Sequence, residues 1–226
     1  MSGRMVSFVA GAEKADGFVA RPGGGRPGVI VIQEWWGLVG HVKDVVQRYA
    51  SLGYVAMAPD LYHGKSTLEA EEASHLMSGL DWARAVEEIG GAVTYLREVE
   101  GCDRVGVTGF CMGGALTMLA ASLPGVDAYA AYYGFPPKEA GDAVNRITAP
   151  GLIFFGEHED FFSVPDAQAF AERQRIAGRR CDVVVYPGAG HAFFNNDRPE
   201  AYVEPAANDA WRRTLALFGT HLRTVE

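Results

Sequence analysis

The stretch Val105 to Ala115, V-G-V-T-G-F-C-M-G-G-A, decides how the rest of the chain is read. A short β-branched run ends at Gly109, Cys111 follows two residues later, and Gly113 and Gly114 open a small-residue segment suited to a helix start. The pattern predicts a strand, a sharp turn and a helix. Working outward, the same alternation recurs. Val29 to Gln33 is a continuous β-branched run, as a strand buried on both faces requires, and apolar residues at helical spacing follow from Val39 to Leu52 before Gly53. Further strands are expected at 54–58, 104–108, 128–133, 151–155 and 182–186. Helices are expected at 68–99 with a break near Gly79, and at 113–122, 165–177 and 206–222. Gly90 and Gly91 mark a weak point in the long helical segment. Residues 5–10 and 16–20 read as an antiparallel edge hairpin, and Arg21 to Gly28 as a loop.

Strands alternating with helices imply an α/β fold. The expectation is a mainly parallel sheet of about seven or eight strands covered by helices on both faces. At 226 residues nothing forces a second domain, so residues 1–226 are read as one. The net charge of -8 argues against nucleic-acid and anionic-membrane partners. No apolar run of signal-peptide or membrane-span length is present, and a cytoplasmic location is expected by default. Three cysteines, Cys102, Cys111 and Cys181, form no C-x-x-C pair, which fits a reducing compartment; Cys102 and Cys181 read as packing residues.

In parallel sheets the site lies beyond the carboxyl ends of the strands. Five such ends carry chemistry. Glu34, Trp35, Trp36 and Gly37 follow the first buried strand, and Asp60, Tyr62 and His63 follow the next. Cys111 follows the third; Glu157, His158, Glu159 and Asp160 follow the fourth, and the glycine-flanked His191 follows the last. The spacing G-x-C-x-G around Cys111 matches the G-x-S-x-G nucleophile elbow with sulfur for oxygen. A cysteine at a helix N-terminus is expected to have a lowered pKa. An imidazole then handles the proton, and a carboxylate fixes its tautomer. The chain order nucleophile, acid, histidine is Cys111, then Glu159 or Asp160, then His191. No H-x-x-x-H or paired-cysteine spacing is present, so no metal is expected, and no G-x-G-x-x-G follows a strand, so no dinucleotide or other cofactor is expected.

With these residues in place the chain resembles the dienelactone hydrolase (carboxymethylenebutenolidase) family of α/β hydrolases. The resemblance rests on V-I-V-I-Q-E-W-W-G, A-P-D-L-Y-H-G, G-F-C-M-G-G, Y-P-G-A-G-H-A-F and the final A-W-R-R-T-L-A-L-F, which together span nearly the whole chain. It implies hydrolysis of small lactones or esters, of the type that opens carboxymethylenebutenolide to maleylacetate, through an acyl-cysteine on Cys111. It further implies an oxyanion hole from the backbone N–H groups of Trp35 and Met112, proton transfer by His191, and Glu34 as the partner of the resting thiol. The family acid normally sits in G-x-x-D; here Glu159 holds that spacing and Asp160 follows it, with the Phe161-Phe162 pair favouring Glu159.

The family's two substrate-binding arginines have no counterpart. Gly64 and Asn195 occupy their places, with Lys65 and Arg198 close by as possible replacements. Trp36, Tyr62, Lys65, Phe161, Phe193, Asn195 and Arg198 are therefore the expected substrate contacts, in a mouth more apolar than the family's. The expected partner is a small lactone or ester, and the expected state a monomer or small homo-oligomer. A broad carboxylesterase or thioesterase, and a binding module that keeps the fold without turnover, are the alternative readings.

Overall fold

A computed structural model describes residues 3–22, 27–136 and 143–223. The start of the chain forms the expected hairpin, β1 (Arg4–Ala10) and β2 (Glu13–Ala20). Six further strands follow: β3 (Gly28–Ile32), β4 (Val55–Pro59), β5 (Val105–Phe110), β6 (Ala128–Tyr132), β7 (Gly151–His158) and β8 (Cys181–Gly190). They make one sheet in the order β1-β2-β4-β3-β5-β6-β7-β8. β2 pairs antiparallel with both β1 and β4, and every pairing from β4 to β8 is parallel. Positions 23–26 of the expected loop at 21–28 lie outside the described residues.

Six helices cover the sheet: α1 (Gly40–Ser51), α2 (Ala70–Ser78), α3 (Trp82–Glu98), α4 (Met112–Ala120), α5 (Val164–Ile176) and α6 (Glu204–His221). β3 shows why the strands lack polar alternation. Val29 and Val31 pack into one core with Val42, Val46 and Phe218, while Ile30 and Ile32 pack into a second with Ile89, Val93 and Leu116. Every residue of β3 is buried, and each such aliphatic side chain contributes about 2 kcal/mol of hydrophobic free energy.

Two expectations needed correcting. α3 runs unbroken through Gly90 and Gly91, because Gly91 is a packing residue: a Cβ there would stand 2.5 Å from the Val9 carbonyl oxygen, so its absence lets α3 press on β1. β8 also continues four residues past the expected end, through Pro187. β8 is an edge strand, so a proline can sit where its missing N–H removes no ladder bond. With β7, β8 carries the chain to His158 and Gly190, which pair across a register shift. The residues immediately after them are Glu159 and His191.

Candidate active site

The sheet brings the strand ends together by register. Ile32 pairs with Gly109 and Phe110 with Tyr132, so the segments after β3, β5 and β6 begin side by side. Cys111 caps α4 with φ 57° and ψ -120°, a conformation costing a non-glycine residue about 1–3 kcal/mol. Tertiary contacts hold it there: its N–H donates to the Tyr132 carbonyl at 3.0 Å, and its carbonyl accepts from Gly114 and Ala115 at 2.9 and 3.1 Å. The surrounding glycines are required by close approach. A Cβ on Gly113 would lie 2.4 Å from the Gln33 carbonyl oxygen, and one on Gly134 2.2 Å from that of Cys111.

On the β3 side of the elbow, Glu34 is buried. Its Oε1 accepts from the Tyr133 hydroxyl at 3.0 Å and its Oε2 from Asn195 Nδ2 at 2.6 Å. Both donors are neutral. Burial raises the Cys111 thiol pKa, and the Glu34 carboxylate raises it further; the Met112 N–H lowers it, and Glu159 adds a smaller upward push. The lowered pKa expected of a helix N-terminal cysteine is therefore reversed. The helix end does favour the thiolate, but desolvation and a neighbouring carboxylate outweigh it. The resting sulfur is a thiol.

On the other side, His191 Nδ1 lies 3.0 and 2.9 Å from the two oxygens of Glu159. The Glu159 side chain is 0 % exposed, and its Oε1 also accepts from the N–H groups of Phe161 and Phe162 at 2.9 and 3.3 Å. Asp160 is exposed and Glu159 is the carboxylate on the imidazole. The reason is local. The turn after β7 folds Phe161 and Phe162 back onto the residue directly following the strand, whose carboxylate satisfies their N–H groups. His191 is 17 % exposed and lies between aromatic rings, with Phe161 at 4.7 Å, Tyr133 at 5.0 Å and Phe162 at 5.9 Å between centroids.

The expected substrate contacts divide. Phe161 is 72 % exposed over His191 and forms part of the mouth. Trp35, half-buried after β3, sets its ring edge-on to Trp36 at 5.0 Å. Trp36 is buried beneath the Arg198 guanidinium at 4.7 Å, and Arg198 is itself ion-paired with Glu200. Tyr62 is buried with its hydroxyl 3.4 Å from the Met112 sulfur. Lys65 is exposed and lines a cavity of about 320 Å3 with Asp81 and Glu88. Two assignments do not survive as substrate contacts. Phe193 is wholly buried against Tyr133 and Tyr186, because the turn after β8 returns its side chain into the core. Asn195 is buried and spends its amide on Glu34 and on the Asp197 N–H.

Residues 15–222 match the dienelactone hydrolase family model. The chain belongs to the dienelactone hydrolase family. It is 38 % identical to the protein usf of Aquifex pyrophilus, over 97 % of this chain and 99 % of that one. It is 37 % identical to a Methylorubrum extorquens protein provisionally named carboxymethylenebutenolidase, over 87 % of this chain and 72 % of that one. Among solved structures it is similar to a Klebsiella pneumoniae protein provisionally assigned as a dienelactone hydrolase. That match has a TM-score of 0.83 and 28 % identity, and covers 98 % of this chain and 100 % of the other. The fold is that of the α/β hydrolases, and family membership places the chain among carboxylic ester hydrolases.

One residue of this dienelactone hydrolase family site escaped the sequence reading. Tyr133 follows β6 with φ 37°, bonds Glu34 and stands edge-on to His191, so it touches both sides of the site. Its signal was available: Tyr-Gly directly after a buried parallel strand, at the strand end next to the elbow. Cys102 and Cys181 are buried free thiols, and Cys181 accepts from the Tyr129 hydroxyl at 3.2 Å. Among the described residues no helix is long and apolar enough to cross a membrane.

Proposed function

We propose that this enzyme hydrolyses small lactones or esters through an acyl-cysteine on Cys111, with His191 and Glu159 completing a triad. The observation that carries the reading is the imidazole held by its Nδ1 on a fully buried carboxylate that also bears on a cysteine at positive φ on a nucleophile elbow. With Nδ1 on Glu159, the His191 Nε2 is the nitrogen free to exchange protons. The Cys111 proton passes to His191 Nε2, and the thiolate adds to the substrate carbonyl. Glu34 is the carboxylate whose charge bears most strongly on that thiol, and it supports the protonated resting state.

The resulting oxyanion is received by the N–H groups of Met112 and Trp35; the Met112 N–H already donates to the Cys111 sulfur. Each such donor is typically worth about 3 kcal/mol in the transition state. Collapse breaks the ester C–O bond, and the departing oxygen takes a proton from His191. Water, deprotonated by the same imidazole, then releases the acid and restores the thiol. The aromatic mouth of Trp35, Phe161 and Phe162 favours a broad range of small apolar esters over one dedicated lactone.

Cys111→Ala is expected to lower kcat/KM for p-nitrophenyl acetate by at least about a thousandfold with the far-ultraviolet circular dichroism unchanged. An acetylated Cys111 peptide should be recovered from acid-quenched wild type. Wild-type turnover by the alanine variant sinks the proposal.

A further inference from the structure

The turn that carries His191 and Asn195 also forms one wall of a second cavity, of about 280 Å3, which Cys111, Glu34 and His191 do not line. Phe194, Asn196 and Tyr202 come from that turn, Asp44 and Arg48 from α1, and Asn208 from α6. Elsewhere in the chain arginines find carboxylates: Arg21, Arg84, Arg97, Arg104 and Arg198 are each ion-paired. Arg48 has Asp44 one helical turn before it, the spacing at which an acid and a base pair on a helix. Its guanidinium instead lies over the rings of Trp211 at 4.5 Å and Phe194 at 5.4 Å. Among the described residues neither Arg48 nor Asp44 makes an ion pair or a side-chain hydrogen bond, and the side chains of Asn196, Tyr202 and Asn208 bond no other protein group.

We propose that this cavity is a second binding site, for a free polar amino acid or a similar small zwitterion, with the ligand carboxylate on Arg48 and its ammonium group on Asp44. Stacking fixes the plane of the guanidinium and leaves its edge N–H groups to donate in pairs, the geometry that a carboxylate accepts. Asp44 then decides between ligands. A simple anion meets like charge at Asp44 and a simple cation meets it at Arg48, whereas a molecule carrying both charges finds a partner at each end. Asn196, Asn208 and Tyr202 supply neutral donors and acceptors for a polar side chain. The volume lies just under the ~300–1,000 Å3 usual for drug-sized ligands, which suits an amino acid. The site stands apart from Cys111, so the inference does not depend on the hydrolase reading.

Saturation-transfer NMR of the wild-type protein, titrated with L-serine, L-threonine, L-asparagine and L-glutamine to about 10 mM, tests the site. At least one of the four is expected to bind with a Kd below about 1 mM. Its N-acetyl derivative, which lacks the ammonium group, and its carboxamide, which lacks the carboxylate, should each bind at least about tenfold more weakly. Binding by none of the four overturns the proposal, as does an N-acetyl derivative that binds as tightly as its parent.

Two variants separate the ends of the ligand. Asp44 is exposed, so Asp44→Asn is expected to fold with unchanged circular dichroism. It should weaken the amino acid at least about tenfold without weakening its N-acetyl derivative, so that the two bind alike. Arg48→Gln should remove the preference over the carboxamide in the same way. If Arg48→Gln loses its fold, the two affinities of Asp44→Asn decide alone. Unchanged affinities in Asp44→Asn overturn the proposal. So does binding that disappears once Cys111 is carboxamidomethylated, because the ligand then occupies the catalytic cleft.

Discussion

Two buried carboxylates stand on either side of the Cys111 elbow, and they are held in different ways. Glu159, beyond β7, bonds an imidazole and two backbone N–H groups. Glu34, beyond β3, bonds a phenol and an amide. The first arrangement can move a proton, because its partner is an imidazole oriented by the bond. The second has only a phenol and an amide for partners, and its effect falls on the thiol, whose pKa it raises. Equal burial of the same functional group thus yields two roles, and the hydrogen-bond partner decides between them.

The largest expected effect breaks the catalytic half of this contrast. Glu159→Gln should lower kcat/KM by about a thousandfold, because an amide cannot support the imidazolium that forms in the transition state. Asp160→Asn, at the neighbouring exposed position, should leave steady-state rates within about twofold. If the two variants respond alike, the contrast between the carboxylates collapses.

Gly113→Ala tests the framework that keeps Glu34 beside the elbow. Its Cβ would force the Gln33 carbonyl away from 2.4 Å, and urea denaturation should register a loss of about 3 kcal/mol. Tyr133→Phe strips one donor from Glu34 and leaves a buried charged oxygen short of a partner. A loss of about 2 kcal/mol in the same assay is expected.

Glu34→Gln gives the smallest and most diagnostic change. A negative charge raises a thiol pKa, so removing it lowers that pKa and increases the thiolate fraction at any pH below the midpoint. The pH profile of Cys111 alkylation by iodoacetamide should move down by about one unit, a rate gain of about tenfold at pH 8. An unchanged profile would mean that burial alone holds the thiol protonated. The same shift bears on stability. The folded thiol keeps its proton to higher pH than the unfolded one, so its contribution is present at neutral pH and is lost as pH rises above the unfolded cysteine range.

Much of this architecture was legible in the chain because it depends on local patterns. The unbroken apolar run of β3, the helical spacing of Val42, Val45, Val46 and Tyr49, and the glycines around Cys111 each specify a conformation within a few residues. The ends of β7 and β8 were not legible. Pro187 and the glycines after Tyr186 read as a stop, and only a parallel neighbour on one side makes them an edge strand. Phe193 looked like a mouth residue for a similar reason: an aromatic two residues after a histidine reveals nothing about which way the turn faces.

The sequence by itself determined the elbow, the candidates for the reactive groups and their placement after strands, since each follows from spacing, residue type and hydrophobic pattern. Only the tertiary structure decided what each group touches. Tyr133 and Asn195 reach Glu34 across 99 and 161 residues of chain, and the turn after β7 chooses Glu159 over Asp160 for His191. It also reversed the expected state of Cys111. Proximity to a helix end is written locally, whereas burial and a carboxylate contributed by another strand exist only once the sheet has assembled.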